Sequence, residues 1–143
     1  MKGIYVLVIS ISKDVNLNIG ALGNVHFEKG LYSYVGSAQN NLEKRVKRHL
    51  EKEKRVFWHI DYLLNDNTAR ILRVYYEPAK RIEECRISNK IGQTGIPVKG
   101  FGSSDCKCKA HLFKIEDIDF LKEYMHEIIS KRRRKARAAS DRI

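Results

Sequence analysis

The sequence predicts an α+β domain in which a small mixed or mainly antiparallel central sheet is flanked by helices. Three observations lead there: an almost unbroken β-branched run near the N-terminus, several later stretches of helical periodicity, and short strand patterns between them. At 143 residues, 43% of them apolar, the chain can bury one continuous core but not two comfortable ones. The expected organisation is one domain over residues 1–130 and a basic C-terminal tail over 131–143.

Each element has a local reason. Residues 3–11 (GIYVLVISI) read as a central strand covered on both faces, because hardly any polar residue interrupts the run. Two further strands are expected at 25–28 and 31–35, joined by a tight hairpin turn at Lys29-Gly30. The stretch 13–24, with alternating apolar residues and two glycines, adds a short strand or a bulged hairpin. Asn40 and Asn41 are good N-caps for a helix carrying Leu42, Val46 and Leu50 on one stripe. A second helix is expected at 58–64 and a strand at 69–76, ending at Pro78. Residues 81–91 form a third helix, stopped by Gly92 and the Gly95-Ile96-Pro97 turn. A short strand at 111–115 and an amphipathic C-terminal helix marked by Ile118, Leu121, Met125 and Ile128 complete the domain.

Charge narrows the function classes. With 28 Lys+Arg against 17 Asp+Glu the net charge is +11, which favours phosphate-bearing partners. Nucleic acid is the first expectation, DNA before RNA. No apolar run approaches the roughly 20 residues that cross a bilayer, and no signal sequence is visible, so a cytoplasmic protein without a membrane partner is expected. Three unevenly spaced cysteines do not make a disulfide framework and fit a reducing compartment. Lys131, Arg132, Arg133, Arg134, Lys135 and Arg137 are six basic residues in seven, a density suited to tracking phosphates as well as to capping the negative end of a helix. Arg48, on the first helix, joins them as a candidate nucleic-acid contact.

Four residues suggest chemistry. Tyr5 lies in Gly3-Ile4-Tyr5, and Tyr34 in Tyr34-Val35-Gly36, where a strand ends just before the first helix. Arg45 sits about 60° from Leu42 around that helix, at the edge of its apolar stripe, where a guanidinium can reach the strand ends. Glu84 shares its azimuth with Ile87 and Ile91, which puts a carboxylate on the buried face of the third helix. Such a group must bind a metal, pair with Arg45 or carry a raised pKa, unless the apolar stripe is narrow enough to leave it partly exposed.

Together, Gly3-Ile4-Tyr5, Tyr34-Val35-Gly36-Ser37-Ala38, Leu42-Glu43-Lys44-Arg45-Val46 and the helical Glu84 resemble the GIY-YIG nuclease family over about the first 95 residues. The resemblance implies a metal-dependent endonuclease acting on phosphodiester bonds in DNA, in repair or recombination. It implies that Glu84 holds one Mg²⁺ or Mn²⁺, and that Arg45 neutralises charge on the scissile phosphate. It also implies that Tyr5 orients or deprotonates the attacking water with Tyr34 nearby, either phenol being the base. The phenol pKa would have to fall from about 10, by the action of the metal and Arg45. Two features depart from the family. Here 28 residues (6 to 33) separate the tyrosines, more than is usual and enough for an extra hairpin, a spacing similar to that of a branch of short GIY-YIG-like proteins sharing features such as 58–62 and 100–106. The closing asparagine has only Asn89 and Asp105 as candidates. The rival reading is a non-catalytic nucleic-acid-binding module that keeps the fold.

Four further groups bear on the site. His49 lies about 20° from Leu42, so it either joins the cleft or is a satisfied core histidine. Ser103, Ser104 and Asp105, on a glycine-flexed loop, are candidates to line the cleft near Glu84. Cys106-x-Cys108-x-x-His111 has the right atoms for zinc, but only a distant residue such as Cys85 or His59 could supply a fourth ligand. The expectation is therefore a reduced, partly buried turn without zinc. His59 and Asp61 point to different helix faces and are not expected to share an ion.

Overall fold

The computed structural model describes residues 2–51, 55–104 and 106–128. The tail 131–143 and Asp105 lie outside the described residues, and with them the basic run Lys131, Arg132, Arg133, Arg134, Lys135 and Arg137. The first strand, β1 (Gly3–Ile11), has the bounds the β-branched run predicts. It is followed by β2 (Val15–Asn18), a 3-10 turn (Gly20–Leu22), β3 (Asn24–Phe27) and β4 (Gly30–Ala38). Then come α1 (Leu42–Leu50), α2 (His59–Leu64), β5 (Ala69–Glu77), α3 (Glu83–Ile91), β6 (Ile96–Pro97), β7 (Leu112–Ile115), α4 (Asp119–Tyr124) and β8 (His126–Glu127).

Six strands form one sheet in the order β6-β7-β4-β1-β5-β8, and every pairing among them is antiparallel. The fold is thus α+β with an antiparallel central sheet flanked by helices. β1 lies between β4 and β5, and its alternate residues serve two cores. Tyr5, Leu7, Ile9 and Ile11 face a core with Leu42 and Val46 of α1 and Ile60, Leu63 and Leu64 of α2. Ile4, Val6 and Val8 face the other, with Ile87 and Ile91 of α3 and Leu121 of α4. Burial on both faces explains why β1 carries no polar alternation.

Two local expectations are corrected. The strand at 25–28 does not pair with the strand at 31–35; β3 pairs with β2, from Val15↔Phe27 to Asn18↔Asn24, in a separate hairpin. The reason is that β4 has both edges taken, by β1 along its whole length and by β7 at Leu31–Tyr34, so the hairpin must close upon itself. This hairpin occupies nearly half of the stretch between the two tyrosines and packs on the α2 side, with Ile19 and Phe27 fully buried. The second correction is at the end of the domain. The amphipathic pattern predicts a helix running to Ile128, but α4 stops at Tyr124, and His126 and Glu127 join the outer edge of β5 opposite Tyr76 and Tyr75. Pairing satisfies edge amides that would otherwise be bare. An Arg73–Glu127 ion pair at 3.2 Å and the bond from Ile128 N to Val74 O at 2.8 Å fasten it.

Candidate active site

β7 covers β4 only as far as Tyr34, so the edge of β4 at Gly36 and Ser37 is left open among the described strands. A cleft of about 380 Å³ lies there, and Tyr5, Tyr34, Arg45 and Glu84 all line it. Antiparallel register sets Tyr5 directly opposite Gly36. A β-carbon at Gly36 would overlap the Tyr5 phenol, so glycine at this place is a requirement of close approach. The phenol hydroxyl lies 2.7 Å from His49 Nε2, which projects from the buried side of α1. His49 therefore joins the site from beneath, as the partner of Tyr5.

α1 is held in place by its cap: Asn41 Oδ1 accepts from Lys44 N at 2.9 Å. That fixes Arg45 in the first turn, where its Nη1 donates to Ser37 O at 3.1 Å and its guanidinium stacks 4.6 Å from the Trp58 ring centre. The placement is the one the helix geometry predicts. Glu84 enters from the opposite layer, in the first turn of α3, with its side chain 21% exposed. Its Oε2 lies 3.5 Å from His111 Nδ1.

Burial pushes the phenols of Tyr5 and Tyr34 above the ordinary tyrosine value of 10, and Arg45 pulls each only part of the way back. The expectation that Arg45 lowers a phenol below 10 is thus not met by the arginine alone, because desolvation of a nearly enclosed ring outweighs one guanidinium.

Other expected residues are placed elsewhere. Arg48 is paired within the fold: Nη1 and Nη2 donate to Asp61 Oδ1 and Oδ2 at 2.9 and 3.0 Å. Asp61 is fully buried and also accepts from Phe57 N and Trp58 N, so a charged partner is what lets it stay inside the fold. Burial alone would raise its carboxyl, but Arg48 and the two amides hold it below the ordinary carboxylate value. Since the folded pKa lies under the unfolded one, this bridge stabilises the protein above the ordinary aspartate range and the gain is lost as pH falls through the folded value. Asp61→Asn is expected to cost about 3 kcal/mol in urea unfolding at pH 7, with the gap to wild type closing on acidification. A gap independent of pH would contradict this.

Asn89 lines a different surface, beside Ile82 and Arg86, and does not border the cleft. Ser104 is exposed and does not line the cleft, and Asp105 lies outside the described residues; among the described residues of that loop, Gly102 alone borders the cleft. His59 Nδ1 accepts from Gly102 N at 2.9 Å, and burial lowers its pKa, which favours the neutral acceptor.

The sequence reading missed Trp58 as a platform: Arg45 and Arg48 each stack on it at 4.6 Å. It also missed Arg81 and the amides Gln39 and Asn40 as lining residues. The one available signal for Arg81 is its place three residues before Glu84, a spacing that sets two helical side chains on one face. Arg45 and Arg81 beside a single carboxylate give the cleft the charge balance to receive an anion such as a phosphate.

A second cluster lies behind Glu84. Of the two distant residues expected as possible fourth ligands beside Cys106, Cys108 and His111, α3 delivers Cys85. The four ligand atoms all lie within 4.8 Å of one another, a set able to bind a metal. Burial raises the Cys108 thiol to about 12, with the neighbouring thiols adding to the effect.

No described helix is long and apolar enough to cross a membrane. No curated protein matches the chain, and no solved structure does. Residues 4–134 match the family described as "Domain of unknown function DUF123", and with nearly the whole domain covered the chain belongs to that family.

Proposed function

We propose that the protein is a metal-dependent endonuclease that hydrolyses phosphodiester bonds in DNA by GIY-YIG-type chemistry, in repair or recombination. The observation that carries this reading is the convergence of Tyr5, Tyr34, Arg45 and Glu84 on one cleft, from two strands and two helices spread along the sequence.

The donors fit Mg²⁺ or Mn²⁺. Glu84 offers carboxylate oxygen beside the hydroxyl and amide oxygens of Ser37, Gln39 and Asn40, a hard-donor set whose remaining positions water and phosphate can fill. When bound, such a cation supplies Lewis-acid polarisation of the phosphate and a more acidic water. Arg45, oriented by Ser37 O and Trp58, meets the charge that builds on the phosphate oxygens. Tyr5 takes a proton from the attacking water while giving its own to His49 Nε2, so no phenolate need persist in a buried site. The oxygen–phosphorus bond to water forms, the bond to the leaving sugar oxygen breaks, and that oxygen is protonated from solvent. The basic run Lys131–Arg137 would add sequence-independent, salt-sensitive affinity.

The insertion supports the reading by its position, since none of residues 13–29 lines the cleft. One observation favours the rival, a binding module without catalysis: both phenols are pushed up by burial. A single labelled duplex or branched DNA separates the two. Binding by gel shift at several salt concentrations and cutting in Mg²⁺, Mn²⁺ or EDTA are read in parallel. Binding with metal-dependent cutting is the expected result; salt-sensitive binding with no cutting in any metal would establish the module instead. Gly36→Ala is expected to lower cutting by about 10²-fold with DNA affinity kept, because the phenol it displaces acts only in the reaction. Unchanged cutting would remove Tyr5 from the mechanism.

A further inference from the structure

Cys85 in α3 and Cys106, Cys108 and His111 on the segment before β7 come from chain positions more than twenty residues apart, yet form one compact group. We propose that these four side chains hold a single structural zinc ion, which ties the glutamate-bearing helix to the loop 98–111.

Tetrahedral zinc, with bonds of about 2.3 Å to sulfur and 2.0 Å to nitrogen, places its ligand atoms roughly 3.5–3.8 Å apart. Atoms already within 4.8 Å reach that geometry by small side-chain rotations. Three thiolates and one imidazole are a soft set that leaves no open position, which selects zinc over the hard cations suited to the cleft. A cluster of several irons would need its ligands farther apart.

The histidine is prepared for this role. Nε2 of His111 lies 3.1 Å from Cys106 Sγ, on the cysteine side. Nδ1 is engaged from behind, by Ser88 Oγ at 2.6 Å and Glu84 Oε2 at 3.5 Å. A proton held on Nδ1 by those oxygens leaves the Nε2 lone pair facing the thiols, an outer arrangement typical of metal-bound histidine. Charge also balances: three thiolates around Zn²⁺ leave one net negative charge, and exposed Lys107 and Lys109 lie in the same loop.

The loop has a need for the ion. It carries two glycines at positive φ, Gly100 and Gly102, and Phe101 and Ala110 are its fully buried apolar anchors. Little apolar burial therefore offsets the entropy of ordering it, and a metal cross-link to α3 does so.

The test is metal content and cobalt spectroscopy on the full chain, purified in reductant without added metal, so it is independent of nuclease activity. The expected result is about one zinc per chain. Exchange for Co²⁺ should give tetrahedral d–d bands and a thiolate-to-cobalt charge-transfer band, and Cys108→Ser should weaken that band. Because the variant could misfold, the wild type is also titrated with a thiol reagent: its three cysteines should resist reaction until a strong chelator is added. Three thiols that react freely without chelator, an octahedral cobalt spectrum, or a disulfide among them in metal-free protein would each overturn the proposal.

Discussion

Glu84→Gln is expected to reduce metal-dependent DNA cleavage by at least about 10³-fold while leaving DNA affinity unchanged. The substitution keeps the shape of the side chain and its oxygen toward His111 Nδ1, 3.5 Å away, but removes the negative charge that would hold a divalent cation at the cleft. A purely structural role would move other readouts. Zinc content and unfolding midpoint should stay at wild-type values, whereas the metal concentration needed for half-maximal cutting should rise steeply or become unmeasurable. If cutting falls only together with stability, Glu84 is a support for His111 and not a metal ligand.

Arg45→Ala is expected to lower the single-turnover cleavage rate by about 10³-fold, the scale seen when a donor aimed at developing phosphate charge is removed. Arg45→Lys should recover only part of it, since an ammonium cannot both donate to Ser37 O and stack flat on Trp58. The same geometry supplies the control. Trp58 keeps Arg48 on its ring, and its amide keeps the bond to Asp61, so the local fold has support besides Arg45. Equal rates in wild type and Arg45→Ala would show that the guanidinium serves packing alone.

What could be read in advance followed local physics. β1 was legible because nine consecutive residues with almost no polar member fit only a strand buried on both faces. α1 was legible from an asparagine cap and a four-residue stripe, and Arg45 at the edge of that stripe lies where the azimuth put it. Glu84 on the inner edge of α3 likewise follows from its spacing to Ile87 and Ile91. Partner choice was not legible. Lys29-Gly30 is as good a hairpin turn as many, but the competition that sends β3 to β2 is settled by β1, twenty residues earlier. Met125 and Ile128 fit helical spacing equally well, and only the bare edge of β5 turns that segment into a strand. Cys85 could be named only beside His59 as a possible fourth ligand, because the fourth ligand of a metal set is a tertiary contact with no sequence period. Trp58 as a shelf for two arginines was hidden for the same reason.

The central claim is that this cleft hydrolyses DNA with a metal held by Glu84. The most direct measurement is the initial rate of supercoiled-plasmid cutting by wild type in Mg²⁺, by wild type in EDTA and by Glu84→Gln in Mg²⁺, from parallel preparations. The account predicts nicked or linear product in the first reaction only. Equal rates for wild type and Glu84→Gln in Mg²⁺, or intact plasmid in all three, would contradict it.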